Sequence, residues 1–373
     1  MAGISKAELE RKLAALHDGV TAIREDDALL RASGAYGSDM SIELWDWAQG
    51  VGLYGIWRLY RATGDAHYLD YLEGWYARHR HEAAVKNVNH VAPMLTLASL
   101  WEMRGGDEDR DLIEDYSAWI ASDLLRTEMG GYAHTTATRN NEEQLWVNTL
   151  FMSGLFQAKA GALLGRPSYC DDVLYQFLLH AHFLIDRESG LWRHGWHFGE
   201  RHHFSRALWA RGNGWAAITA VELIDLLPPS VGAAALRFAR EAFQRHCTAL
   251  LKVQAGNGMW HTLLDEPTSY QETSGTAAIA YAFLKGVRLG LLPPPFEAAG
   301  ARAIRAVLDR VDTAGDVAEV SSGTPVFNTL QEYRDVPIKQ RSYGQSLAML
   351  ALSECLLHPA LHGARPHQKS LTQ

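Results

Sequence analysis

Five short stretches of this sequence gather amide, acidic, imidazole, guanidinium and aromatic side chains where a helical pattern begins. They are Trp45-Asp46-Trp47, Asn87-Val88-Asn89-His90, Glu142-Glu143-Gln144-Leu145-Trp146-Val147-Asn148, Arg211-Gly212-Asn213-Gly214-Trp215 and Arg341-Ser342-Tyr343. The first turn of a helix carries unpaired N–H groups and the positive end of the helix dipole, which favour an anionic ligand. A guanidinium such as Arg211 pairs bidentately with a carboxylate. Flat rings beside polar tips suit a pyranose, so the set as a whole predicts a cleft for a sugar that bears a carboxylate.

Three loops point the same way. Gly131-Tyr132-Ala133-His134, Gly190-Leu191-Trp192-Arg193-His194 and Gly258-Met259-Trp260-His261 share a glycine, an aromatic and a histidine between amphipathic segments. Glycine permits a tight or left-handed turn from which the ring and imidazole can project. The repetition predicts one crowded end of a repetitive scaffold, lined by these rings. Twelve tryptophans fit stacking surfaces of this kind.

Other chemistries fit less well. Gly212-Asn213-Gly214-Trp215-Ala216-Ala217 mimics a dinucleotide fingerprint but follows no strand and lacks the distant acidic residue. His79-Arg80-His81-Glu82 resembles part of a zinc motif, yet Val85 stands where the second histidine should be. His180 and His182 point to different helix faces, and His202-His203 has no companion. No Gly-x-Ser-x-Gly elbow or phosphate loop is present. The expectation is an enzyme without metal or cofactor.

The elements that must position these residues are helical. Apolar residues recur at helical spacing over 6–25, 44–63, 66–81, 91–104, 108–126, 144–164, 168–186, 214–227, 231–253, 273–289, 296–313 and 342–357. Hinges such as Ala62-Thr63-Gly64-Asp65 and Leu164-Gly165-Arg166-Pro167 end one helix with glycine and open the next with Asp or Pro. Alternate helices are apolar nearly all round, hence buried on both sides, while their partners carry one charged face. Six inner and six outer helices closed into a ring, an all-α (α/α)6 toroid with short β-like loops at the cleft end, is the economical reading. Residues 1–360 form one barrel and 361–373 a loose tail.

The 373 residues are 47% hydrophobic and 21% charged, enough for a large core. A net charge of −8 without a basic stripe excludes nucleic acid as a natural partner. Cys170, Cys247 and Cys355 have no paired spacing and read as buried thiols of a reducing compartment. The charged N-terminus is not a signal sequence, and no apolar run approaches the ~20 residues that span a bilayer. A cytoplasmic monomer or homodimer that does not engage membranes is expected.

The blocks named above, extended by Asn89-His90-Val91-Ala92-Pro93, Leu145-Trp146-Val147-Asn148-Thr149-Leu150, His194-Gly195-Trp196 and Tyr270-Gln271-Glu272-Thr273-Ser274, resemble the unsaturated glucuronyl and rhamnogalacturonyl hydrolases, glycoside hydrolase families 88 and 105, the second more closely. They run in order over most of the chain. The resemblance implies an (α/α)6 barrel and a substrate ending in the 4,5-unsaturated uronic acid that polysaccharide lyases leave. A carboxyl protonates C4 of the enol ether and helps deliver water to C5; the hemiketal then collapses and releases the remaining saccharide.

The family's catalytic aspartate falls on Asn148, whose amide has no useful pKa. As part of a helix, Asn148 would share the inward stripe Leu145, Asn148, Met152, Leu155. Either this is an inactivated form made to hold substrate, with Asp the natural residue, or a natural variant whose proton donor lies elsewhere. The first is preferred, because Glu142 and Glu143 should sit above the first turn. The resemblance further implies catalytic roles for Asn89, with Asn87 a weaker choice, and for His194. It places Arg211 on the uronate carboxylate and Trp215 in stacking, with Trp45 or Trp47 as an aromatic wall. His90, Trp146, Trp196 and Tyr343 complete the expected binding set, while His134 and His261 shape the rim. A histidine-based sugar epimerase and a non-catalytic saccharide-binding protein are the competing readings. A conventional two-carboxylate glycosidase fits less well, because no pair such as Asp46 with Glu143 matches a family pattern.

Overall fold

Apolar residues spaced three or four apart become helices at nearly every predicted place. The structure, a computed structural model, describes residues 4–23, 41–228 and 231–362. Its helices are α1 (Lys6–Ala22), α2 (Trp47–Thr63), α3 (Ala66–His79), α4 (Val88–Arg104), α5 (Asp107–Ser122), α6 (Leu155–Leu163), α7 (Pro167–Leu184), α8 (Ala210–Leu226), α9 (Ala233–Lys252), α10 (Thr273–Arg288), α11 (Pro295–Leu308), the short α12 (Leu330–Arg334) and α13 (Ser342–Leu356). Helices α2, α4, α6, α8, α10 and α13 each pack on the next, and α13 returns to α2, closing an inner ring. Outside it lie α3, α5, α7, α9 and α11, with α1 completing the outer layer against α13. This is the expected (α/α)6 toroid. Positions 24–25 of the first predicted helix, and the predicted tail from 363 onward, lie outside the described residues.

Small residues set how closely the inner helices approach. A Cβ on Gly50 would stand 2.5 Å from Ala92, and one on Gly214 would stand 2.5 Å from Ala278. Both glycines lie within the first five residues of their helices, so these close approaches fall near the end that carries the polar blocks.

The predicted helix over 144–164 is not one helix. Gln144–Trp146 form a strand, β1, paired antiparallel with β2 (Gly195–His197), which pairs with β3 (His202–Ser205). The chain then enters α6 through a π-turn over Leu150–Gly154, closed by Leu155 N–H donating to Leu150 C=O. The local apolar spacing fits a helix, but pairing with a segment fifty residues away overrides it.

The glycine loops form a family of four. After α5, α7, α9 and α11 the chain turns back at Gly130, Gly190, Gly258 and Gly315, with φ of 75°, 78°, 92° and 85°. Isolated antiparallel bridges flank three of these turns: Arg126 with Tyr132, Ile185 with Trp192, and Val311 with Val317. The fourth loop lacks the aromatic and histidine and so escapes the sequence pattern. The rings do not line a cleft as expected: Tyr132, Trp192 and Trp260 are all in the core. Tyr132 donates to Asp172 at 2.8 Å and Trp260 donates to Leu250 C=O at 2.8 Å. Their role is to dock each hairpin onto the helices below.

The far end of the barrel is closed by charge. Arg58, Glu222, Lys285 and Glu354 lie 11–12 residues into α2, α8, α10 and α13, a common depth of about 17 Å at 1.5 Å per residue. Lys285 meets Glu222 at 2.7 Å and Asp225 at 2.8 Å; Arg58 and Arg288 reach Glu354 at 3.3 and 2.5 Å. Tyr281 donates to Glu222. The neighbouring cations, Lys285 first, outweigh burial and hold the Glu222 carboxyl down at about 2.

Buried histidines impose a pH dependence on this fold. Desolvation pushes His134 and His246 down to about 3 and His180 down to about 4. A free imidazole titrates near 6.5, so below that pH the unfolded chain binds more protons than the folded one. Stability is therefore full above about pH 6.5 and falls as pH drops toward 4, by up to about 1.4 kcal/mol per unit for each such histidine. Calorimetry between pH 8 and 5 should show Tm falling below pH 6, with a shallower fall for His246→Gln. A Tm constant from pH 7 to 5 would contradict this.

Among the described residues one group, His17, Asp18 and His67, brings possible metal-ligand atoms within 4.8 Å of one another, with Asp18 and His67 exposed. It lies on the outer helices α1 and α3. No helix among the described residues is long and apolar enough to cross a membrane. The three cysteines are free and buried.

Candidate active site

The sheet and the π-turn decide where residue 148 stands. β1 pairs Leu145 with Trp196 and Trp146 with Gly195, and Val147 N–H donates to His194 C=O at 3.0 Å. Asn148 therefore lies one residue from His194 across the ladder. It is in the turn that opens the inner helix, its carbonyl accepting from Met152 N–H at 3.2 Å. The inward stripe expected of a helix through 144–164 is therefore absent: Asn148 stands in the turn ahead of α6. Its side-chain Oδ1 is buried and has no hydrogen-bond partner.

His134, expected at the rim, belongs beside it. Its ring lies flat on Trp146, centroids 4.3 Å apart and planes 12° apart. Nδ1 bonds the Thr149 hydroxyl at 2.9 Å and Nε2 bonds Asn89 Oδ1 at 3.1 Å. With desolvation holding its pKa near 3, the imidazole is neutral and its two nitrogens have fixed partners. It ties Asn89 in the first turn of α4 to the residue after Asn148. Asn87 is spent on capping α4, accepting from His90 N–H at 3.1 Å.

His194 is buried against Trp209, centroids 4.5 Å apart, and its Nδ1 bonds the Tyr333 hydroxyl. Tyr333 also meets Ser205 Oγ at 2.6 Å, so β3 and α12 together fix the ring. Burial, then the Arg211 charge, pushes the His194 pKa well down. Tyr333 lies 139 residues from His194 and carries no motif, so no local signal marks it.

The aromatic set divides. Trp47 is half-buried and stacks on Tyr343, centroids 5.1 Å apart. Trp45 is 3% exposed, stacked on Trp75 and donating to His90 C=O at 2.8 Å, so it is core rather than wall. Trp146, Trp196 and His90 are half-buried near the same mouth. Trp215, expected to stack on substrate, is instead buried against Phe151 at 4.6 Å. Tyr343 is also buried and backs Trp47, its hydroxyl donating to Ser321 C=O at 2.7 Å.

Arg211 is the largest correction. It is 2% exposed, and its Nη1 and Nη2 donate to Ser274 Oγ, Ser321 O and Oγ, Ser322 O and Thr324 Oγ1 at 2.7–3.2 Å. Glu272 lies 3.6 Å away, and the guanidinium is sandwiched between Trp209 and Tyr343, 4.7 Å from each ring centre. The segment 321–324 roofs the start of α8 and occupies both terminal nitrogens of Arg211. Asn213 is similarly internal, accepting from Trp192 N–H and His246 and donating to Trp192 and Trp209 carbonyls.

Two acidic residues on the approach are placed by their bonds. Glu143 accepts from Glu128 N–H at 2.9 Å and Glu142 is exposed, so neither approaches as a substitute acid. Asp46 caps α2, accepting from Trp47 N–H at 2.7 Å; desolvation raises its pKa against the opposing cap bond and His90.

The arrangement is one of neutral hydrogen-bonding groups and half-exposed rings around position 148 at the mouth of a toroid. The family model for Glycosyl Hydrolase Family 88 matches residues 33–358. The chain belongs to this family. It is 32% identical over 319 residues, 84% of this chain and 90% of the other, to the unsaturated rhamnogalacturonyl hydrolase YesR of Bacillus subtilis. A crystal structure of a possible member of the GH105 family from Klebsiella pneumoniae superposes with a TM-score of 0.89 at 37% identity, covering 95% of this chain and 94% of that one. Its counterpart from Salmonella enterica gives 0.90 at 36%, covering 95% of each chain. The family 88 chain described here is thus a glycosidase, and both families expected from its motifs are among its relatives.

Proposed function

We propose that this family 88 protein removes a 4,5-unsaturated uronic acid from the non-reducing end of lyase-generated oligosaccharides, with an amide occupying the acid/base position. The observation that carries the reading is the convergence on residue 148: Asn89 and His134 on one side, His194 on the other, and an unpartnered buried oxygen at 148 itself. In the reaction, a carboxyl at 148, as in Asn148→Asp, would give its proton to C4 and, as carboxylate, take one from the water whose oxygen bonds C5. The C5 hemiketal opens, the ring oxygen becomes a hydroxyl on C1, and C1 expels the aglycone as an alcohol. One water is consumed in all.

Neutral His194 suits holding that water, and the Asn89–His134 pair suits the ring hydroxyls. The neutrality of His134, held down to about 3 by burial, argues against it as the acid of an epimerase at pH 7. The name of the Bacillus relative makes unsaturated products of rhamnogalacturonan the first substrates to try. We place the protein in the cytoplasm as a monomer or homodimer, with residues 1–360 as one catalytic domain.

The test mixes the chain and its Asn148→Asp form with lyase products of pectin, ulvan and glycosaminoglycans and follows the ultraviolet absorbance of the conjugated double bond. Loss of absorbance with release of the aglycone supports the reading. No change with any of the three for either protein overturns it, and tight binding without turnover by both would indicate a saccharide-binding protein.

A further inference from the structure

If the terminal sugar is a uronate, its carboxylate needs a cationic partner, and Arg211 is buried with both terminal nitrogens bonded to Ser274, Ser321, Ser322 and Thr324. Arg341 is not. It immediately precedes α13, is half-buried, and makes one hydrogen bond, Nη2 to Ser322 Oγ at 3.2 Å. Its Nε is buried without a partner, and no carboxylate among the described residues lies within ion-pair distance of it. The next residue, Ser342, is 2% exposed, and its hydroxyl also has no partner. The first N–H groups of a helix have no intrahelical acceptor and carry partial positive charge. An unsatisfied guanidinium edge, an orphaned buried hydroxyl and a helix start thus coincide at one point.

That point begins the inner helix across the ring from residue 148. Tyr343, one turn-position on, carries the stacked Trp47 that offers a half-exposed wall at the mouth. In the order of the inner ring α13 stands opposite α6, which begins just after Asn148. Helix axes about 8–10 Å apart in a ring of six put opposite axes roughly 16–20 Å apart. Subtracting backbone radii of about 2.3 Å leaves roughly 12–15 Å, enough for an arginine, one pyranose and a short side chain.

We propose that Arg341, with the first turn of α13, binds the carboxylate of the terminal uronate, and that Arg211 instead holds the 321–324 segment in place. The inference rests on the uronyl reading above and names the residue that confers acid specificity on it.

Calorimetric titration of the chain as it stands, with an unsaturated uronyl disaccharide and its uronate methyl ester, tests this. The free acid should bind the parent more tightly than the ester. Arg341→Gln should weaken the acid by about 10- to 100-fold, the scale of a charge-assisted pair, and change the ester less than threefold. Arg341→Lys should recover part of the loss, because it restores charge without the planar fork. Thermal unfolding of both variants should match the parent, since one exposed-side hydrogen bond is at stake. Unchanged acid affinity, or equal loss for acid and ester, overturns the assignment while leaving the hydrolase reading intact. Failure of the parent to bind either sugar overturns both.

Discussion

Asn148→Asp is expected to raise turnover of an unsaturated uronyl disaccharide by about 10²- to 10⁴-fold, the usual worth of a positioned general acid. The amide now at 148 keeps the shape of a carboxyl but has no proton to give near neutral pH. Its Oδ1 is buried and bonds to nothing, so one oxygen of an aspartate there would be desolvated. Desolvation disfavours the charged form and raises the pKa, which lets the group donate near neutrality. The nearest histidines cannot supply that proton, since burial holds both neutral. The measurement is kcat from the fall in ultraviolet absorbance, with its pH profile. Activity should decline on the alkaline side as the new carboxyl ionises. An Asn148→Asp protein no faster than the parent, on a substrate both bind, would remove residue 148 from the chemistry.

Lys285→Met is expected to cost about 3–5 kcal/mol of stability, the range for breaking a buried ion pair by removing one partner. Lys285 is fully buried and meets Glu222 at 2.7 Å, and Glu222 is almost equally enclosed. Without the ammonium, Glu222 must stay charged with less compensation or take up a proton in a site shaped for an anion. Asp225 is partly exposed and can turn to water, so the cost concentrates on Glu222. The double variant Glu222→Gln/Lys285→Met should recover most of the loss, because both charges are then gone. Urea denaturation of the four proteins of this cycle measures it. A single-variant loss below about 1 kcal/mol would mean that the base of the barrel relaxes or admits water.

Much of this architecture is legible in the chain. Periodic apolar residues and Gly-Asp or Gly-x-Pro hinges mark the inner and outer helices because a helix that buries both sides has no freedom to be polar on either. Position 148 is visible through its motif context, although the helix drawn through it was really β1 and a π-turn. Local spacing cannot report a strand whose partner is Gly195 to His197. The same limit hides Tyr333, whose only distinction is that its hydroxyl reaches His194 and Ser205 from 139 and 128 residues away.

The sequence by itself determined most of the helices, their alternation between inner and outer, and which polar and aromatic residues begin the inner ones. Only the tertiary structure decided which of those groups remain free. Arg211 and Arg341 are both guanidiniums at the start of an inner helix, yet the first finds its acceptors at Ser321, Ser322 and Thr324 and the second finds one weak partner. Tyr132, Trp192 and Trp260 turn inward, while Trp47 and Trp146 stay half-exposed. Helical periodicity sets the direction of a side chain from its own backbone. Whether that side chain is satisfied depends on donors, acceptors and rings brought over it by segments a hundred residues away.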